Sequence, residues 1–334
     1  MRTPVCFVLS IAFFSACASS SPQTPLLSPY VRAAGAASSA AGSPPVVAGC
    51  QIFPAPPVNG PSGNDWWNQD ISTYPVDPNS DNYISALPGN LHPDFGHESY
   101  YGIPFNVVPP NQPKVPITIT NYPSSSNPGP YPIPPNAQVE GGRNASGDRH
   151  VLVLQKGTCK LYEMWLAYPV NGGKSWKAGV AVTFDLHSNK LRPNGWTSAD
   201  AAGLPIMPAL IKCAEVEAGA IDHPLRVTFQ STQAGFIHPA THYASSSTNR
   251  TLPPMGLRLR LKASYDISHF NRVSQIILTA MKRYGMFVAD NGSNWYFQGQ
   301  GGSAAKCWND NELDQLKTVP GSAFEVVGTG PILR

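Results

Sequence analysis

From residue 148 onward the apolar positions fall in short extended runs. His150 to Leu154, Lys160 to Tyr168, Ala178 to Leu186, Leu225 to Gln230, Gly256 to Tyr265, Gly285 to Ala289 and Asn294 to Gln298 are rich in Val, Phe, Tyr and Trp, with Gly, Asn and Pro between them. Such runs predict strands, and seven of them predict an antiparallel sandwich or an open barrel. One stretch has another period. Val273, Ile276, Ile277, Ala280, Met281 and Tyr284 recur at helical spacing, with Lys282 and Arg283 in the last turn and Gly285 where a C-cap belongs. This predicts one long amphipathic helix packed on the sheet. Shorter helices are expected at Pro208 to Glu217, stopped by Gly219, and at Asn311 to Thr318 behind an Asp310 N-cap. The expected class is therefore a β-dominated α+β domain.

Proline divides the chain. Of 35 prolines, 25 precede residue 141, so residues 51–140 should be extended and irregular, with few regular strands. Trp66, Trp67, Tyr74, Tyr83, Tyr100, Tyr101 and Phe105 give this segment apolar surface to bury, which predicts a layer wrapped on a sheet core at 141–327. Its best strand is Lys114 to Thr120, confined to an edge by Pro116. Before it, residues 1–17 read as an export signal, with Arg2 ahead of an apolar run from Val5 to Phe14. Phe14-Ser15-Ala16-Cys17 is similar to a bacterial lipobox, whose Cys becomes a lipidated N-terminus, and Ala16-Cys17-Ala18 also suits ordinary signal peptidase. Residues 18–49 are mostly Ser, Ala, Pro and Gly, with Arg32 as the one charge among Asp, Glu, Lys and Arg, a composition suited to a tether. One globular domain is expected over 50–334. Cys50, Cys159, Cys213 and Cys307 then predict two disulfides in one of three connectivities, with Cys50 pinning the first strand to the body.

Composition narrows the function. Only 13% of the 334 residues are charged and the net charge is +3, which excludes a phosphate-neutralising nucleic-acid binder. No Gly-x-Ser-x-Gly elbow, Gly-x-x-x-x-Gly-Lys loop, Gly-x-Gly-x-x-Gly fingerprint or His-Glu-x-x-His helix occurs, and no cofactor is expected. Several strings occur together: Cys50-Gln-Ile-Phe53-Pro54, Leu91-His92-Pro93-Asp94-Phe95-Gly96, Asp148-Arg149-His150, Trp196-Thr-Ser-Ala-Asp200-Ala-Ala-Gly-Leu-Pro205, and Tyr284-Gly285-Met286-Phe287-Val288-Ala289-Asp290-Asn291-Gly292. As a set they resemble a group of uncharacterised secreted bacterial proteins and lipoproteins. The resemblance implies one exported domain and brings no activity with it.

The candidate chemistry lies on the strands. Asp148 and His150 are two apart and should share a face, as should Leu161, Glu163 and Trp165, while Asp185 closes the strand after them. His, Glu and Asp beside Trp would suit a sugar-processing cleft, with His150, Glu163, Asp185 and Asp200 for acid–base work and Trp165 under a pyranose ring. The structural alternatives are an Asp148 turn, a Glu163 pair with an Arg such as Arg258, a core Trp165 and an Asp200 N-cap. His150, His223 and His242 form a weaker candidate metal set. Arg258, Arg260 and Lys262 alternate with leucines, a cationic strand face that is solvated or holds an acidic sugar polymer through Arg258 and Lys262. The expected function is a secreted or surface-tethered hydrolase or lyase acting on an anionic polysaccharide or envelope glycan. The alternative is a non-catalytic glycan-binding or structural envelope protein. Membrane contact is expected only through a lipid on Cys17. If Cys17 carries that lipid, the full chain partitions into the detergent phase of a two-phase extraction and Cys17→Ala moves it to the aqueous phase; identical partition of the two refutes lipidation.

Overall fold

The computed structural model describes residues 44–54, 66–328 and 330–334; Cys17, the export signal and most of the expected tether lie outside them. The described chain opens with β1 (Val46–Val47) and β2 (Cys50–Gln51), an antiparallel pair. The folded part therefore reaches into the end of the expected tether. The Pro-rich segment supplies helix α1 (Ser80–Ser85) and strands β3 (His92–Pro93), β4 (Phe105–Val108) and β5 (Ile117–Ile119). Then come β6 (Val151–Gln155), β7 (Lys160–Trp165), β8 (Tyr168–Val170), β9 (Ser175–Ala178) and β10 (Val180–Asp185). The C-terminal part holds α2 (Cys213–Ala218), β11 (Leu225–Phe229), β12 (Arg258–Leu261), α3 (Arg272–Arg283), β13 (Met286–Asn291), β14 (Tyr296–Phe297), α4 (Asp310–Asp314) and β15 (Phe324–Val327).

The protein is β-dominated, but its sheets are mixed. A six-stranded sheet runs β15-β12-β13-β11-β14-β3, a four-stranded sheet β10-β7-β6-β4, and a three-stranded sheet β5-β9-β8. The pairs β4–β6, β5–β9, β11–β13 and β14–β3 are parallel, which corrects the expectation of antiparallel pairing. All seven predicted runs contain a strand. Three of the four parallel pairs recruit a strand from the Pro-rich segment, which is thus woven into the sheets as well as laid over them. β5 sits at a sheet edge, where Pro116 leaves no ladder bond unmade.

The middle sheet is buried on both faces. Leu152, Leu154, Leu161, Val180 and Val182 join the main core, which also holds Leu225, Val227, Phe287 and Phe297 of the six-stranded sheet. Val151, Val153, Tyr162, Met164 and Ala181 point the other way, into a second core with Trp176, Ala178, Tyr131 and Ile133. A strand covered twice reads as a continuous apolar run, as Val151 to Leu154 does.

Helix α3 spans twelve residues, three turns, an ordinary length rather than a long one. Asn271 caps it by accepting from the Ser274 amide at 2.9 Å, and Ile277, Leu278, Ala280 and Met281 are buried. Gly285 follows at φ +67°, where a Cβ would lie 2.2 Å from the Leu259 carbonyl, so both backbone and space require glycine. The other helices are shorter than expected. A 3-10 turn at Met207–Ala209 precedes α2, and Asn309 rather than Asp310 caps α4. No helix among the described residues is long and apolar enough to cross a membrane.

Two disulfides join Cys50 to Cys159 and Cys213 to Cys307. The first ties the β1–β2 hairpin to the β6–β7 turn, as expected for Cys50. Their sequence separations of 109 and 94 residues correspond to about 4 to 5 kcal/mol each in the chain-entropy picture. Native protein should therefore take up no alkylating agent at these four cysteines, and reduction should lower the Tm; a reactive native thiol at any of them contradicts the pairing.

Candidate functional site

Residues 197–212 are buried apart from half-buried Ala201, yet their regular structure is a single 3-10 turn before α2 begins. Buried irregular backbone must find partners for its amides and carbonyls. Ala202 donates to the Ala289 carbonyl of β13, and Ile211 to the Gln298 carbonyl. Side chains supply the rest. The Glu163 carboxylate accepts from the amides of Ile206 and Met207 at 2.9 Å. The His150 ring pairs through Nε2 with the Ala199 carbonyl at 2.9 Å. The Arg226 fork grips both Asp200 oxygens at 3.1 Å. Asp290 accepts from the Ala201 amide at 3.3 Å. Four strands, β6 with its leading residue, β7, β11 and β13, thus clamp one segment with four ionisable side chains.

These groups share a dry setting, and their protonation reflects it. Burial would push His150 down, but Glu140, 2.6 Å from its Nδ1, raises it to about 9. Burial raises Glu163 to about 7 against the two amides that favour its charge. Asp290 also rises to about 7, through burial and the nearby charge of Asp200. Burial opposes charge on Arg226 as well, but Asp200 more than offsets it and holds the guanidinium charged.

The structure thus brings His150, Glu163 and Asp200 into one cluster and leaves Asp185 out. Asp185 is exposed, with its carboxylate 3.5 Å from His187. Glu163 is fully buried and bonded to backbone amides, so it neither meets solvent nor pairs with Arg258. Asp200 caps no helix, because the chain turns at 199–203 without forming one. Asp148 and His150 do not share a face. Arg149 between them takes φ +52°, which leaves Asp148 exposed and His150 buried. The cationic strand face is also absent. Arg258 is buried and donates to the carbonyls of Trp66, Gln69 and Tyr284. Arg260 binds Glu325 and the carbonyls of Ile71, Ser72 and Tyr74, and Lys262 donates to Ser322. Residues 66–74 lie over this face, so the alternation that suggested a substrate cleft marks an internal seam. His150, His223 and His242 do not converge. His223 pairs with Glu215 and the Pro224 carbonyl, His242 with the Ala201 carbonyl, and no metal-binding group forms among the described residues.

The cluster reaches solvent at Asp94 and Glu140. Arg226 donates to Gln298 Oε1 at 2.6 Å, and Gln298 donates to Asp94 Oδ2 at 3.3 Å. Both carboxyls are half-buried, the Glu140 side chain being 24% exposed. Burial and the neighbouring Glu140 charge raise Asp94, whereas His150 overcomes burial and holds Glu140 below its ordinary value. Asp94 Oδ1 and Glu140 Oε1 make no hydrogen bond among the described residues. Sequence reasoning missed Asp94, Glu140 and Asp290 as site residues. Asp94 and Asp290 stand in two of the five quoted strings, three of which, with Asp148-Arg149-His150, meet here. Their co-occurrence was the available signal. Two shallow surface depressions lie elsewhere, one beside Phe53, Trp67, Phe184 and Arg192, the other beside Asn79, Tyr83 and Arg250. The chain matches no protein-family model, no curated protein and no solved structure.

Linkage gives these shifts a sign. Glu163 and Asp290 hold protons more tightly when folded, so their stabilisation is complete below ordinary carboxyl values near 4 and is lost as pH rises through about 7. That of His150 is complete below 6.5 and is lost through about 9. Glu140 and Glu215, the latter lowered to about 2 beside Lys212 and His223 despite its burial, lose theirs as pH falls below 4.5. The Tm should peak at about pH 5 and fall toward pH 9. Glu163→Gln, which keeps an acceptor and carries no charge, should flatten the fall between about pH 5 and 7. A wild-type Tm that is level from pH 5 to 9 contradicts this assignment.

Proposed function

We propose that the chain is an exported glycan hydrolase that works through Asp94 and Glu140. The carrying observation is that two part-buried carboxyls at the ends of one hydrogen-bonded cluster, within electrostatic reach of each other, are shifted in opposite directions, one toward the protonated and one toward the ionised form. Two carboxyls with separated acidities are what glycoside hydrolysis requires. Asp94 gives its proton to the leaving glycosidic oxygen. Glu140, ionised beside His150, takes a proton from the attacking water or attacks the anomeric carbon itself. Arg226 acts through Gln298, fixing the position of Asp94.

The two disulfides support export, and the export-signal reading of residues 1–17 agrees with it. Asp94 and Glu140 line neither of the two depressions, which suits a polymer lying across the protein better than a small enclosed ligand. The substrate changes from the sequence expectation. Arg258 and Arg260 are consumed inside the fold and Asp94 and Glu140 are acidic, so a neutral glycan fits better than a uronate or sulfated chain, and hydrolysis better than elimination.

The test is product release from a panel of neutral and anionic polysaccharides, read as reducing ends and as unsaturated uronate. Reducing ends from a neutral member are expected, with kcat lowered roughly 10²-fold or more by Asp94→Asn and by Glu140→Gln. The two variants should remove opposite limbs of the pH profile, which a merely structural loss would not do. Turnover unaffected by both substitutions, or none on any member, overturns the assignment.

A further inference from the structure

We propose a second glycan-binding subsite at the outer end of β7, formed by Trp165, Tyr122, Asp148 and Tyr168, that takes a neutral hexopyranose chain. It deepens the glycan reading above, but its readout is binding rather than turnover.

The site is built rather than incidental. Trp165 ends β7 and is half-exposed, and its indole N–H donates to Asp148 Oδ1 at 2.9 Å. That bond fixes the ring plane and holds one carboxylate beside it. The ring lies over Gly179, where a Cβ would come within 2.5 Å of the indole, so any other residue there would lift the ring. The Tyr122 amide donates to the Gly179 carbonyl, and the Tyr122 ring stands 6.2 Å from the indole, tilted by 46° and 45% exposed. Three residues beyond Trp165, Tyr168 is 43% exposed and rests on the Arg149 guanidinium, 4.3 Å from its centroid. Arg149 is buried and anchored by the carbonyls of Arg143, Ala145 and Ala167. Tyr122 and Tyr168 are the exposed rings, and Trp165, part-buried against the main core, sits beside Tyr122.

Large exposed aromatics held rigid by polar partners bind ligands at small entropic cost. A pyranose ring presents one face of C–H groups to an aromatic and a rim of hydroxyls to polar groups. Here the rim meets the Asp148 carboxylate, which accepts from hydroxyls and repels uronates. Lys177, opposite Tyr168 across the β8–β9 pair, supplies a donor at the far end. The chain His150, Arg149, Asp148 links this platform to Glu140, so one polymer could span both.

Binding of the full chain to soluble β-glucan, mannan, xylan, polygalacturonate and hyaluronan is measured by affinity electrophoresis, with cleavage of short oligosaccharides followed in parallel. Retardation by at least one neutral chain is expected, weakened about tenfold or more by Trp165→Ala, less by Tyr122→Ala and Tyr168→Ala, and retained by Asp94→Asn. Should Trp165→Ala fail to fold, the two exposed tyrosine variants carry the test. Binding that survives the loss of both tyrosines and of Trp165, binding confined to the anionic chains, or no retardation by any chain overturns the subsite. Lost turnover in Asp94→Asn with retained binding leaves the subsite standing, and absence of turnover in the wild type sinks the hydrolase reading alone.

Discussion

The structure depends on one constraint: a buried segment, 197–212, lies in the main core with one 3-10 turn as its regular structure and with turn and serine bonds that satisfy only part of its backbone. A buried helix or strand satisfies its own backbone or that of a neighbour. An irregular segment cannot, and each unpaired amide or carbonyl would cost roughly 1 to 3 kcal/mol. The fold meets part of this need with His150, Glu163 and Asp290, which bond carbonyls and amides of the segment, while Arg226 holds its Asp200 side chain. Glu163, His150, Arg226 and Asp290 are ionisable because two or three strong hydrogen bonds per side chain are needed, and because their opposite charges compensate one another in a medium that would not tolerate any of them alone.

The same logic recurs at the other seam. Arg258 and Arg260 project from a strand whose other face is leucine, and their guanidinium forks bind carbonyls of residues 66–74, a stretch too rich in turns to form a ladder. Lys212, buried with Glu215 and His223, does likewise at the start of α2 beside the Cys213–Cys307 bond. A chain with 35 prolines has many segments without regular hydrogen bonding. Its buried charged residues are spent largely on holding them. Much of the polarity that looks like chemistry in the sequence is therefore the support of irregular backbone.

The chemistry proposed above is placed where that support reaches the surface. At Asp94 and Glu140 the network ends in carboxyls with an oxygen to spare, and burial raises the first whereas His150 lowers the second. At Asp148 a carboxylate outside the network holds an indole instead. The first arrangement can move protons, whereas the second can only bind. Both belong to the path from Glu140 through His150 to Asp148, where Arg149 turns the chain from the interior to the surface within one residue.

The sequence by itself determined the local elements. Short apolar runs located seven of the ten described strands that follow residue 148, the 3.6 period located α3 and its glycine stop, and cysteine parity foretold two disulfides without choosing among three pairings. These are properties of neighbouring residues, and local sterics and patterning decide them. Which strands pair, and in which direction, was decided only by the tertiary structure. β3, β4 and β5 are two to four residues long and cross into sheets whose other members lie up to about 200 positions away, a distance over which no periodicity carries. The partners of charged residues were equally hidden. Glu163 meets amides 43 and 44 residues on, and Arg258 meets carbonyls 189 and 192 residues back. A charged side chain reads the same in sequence whether it faces water, substrate or a buried carbonyl, because its state is set by the dielectric and the donors around it, and those exist only once the sheets have closed.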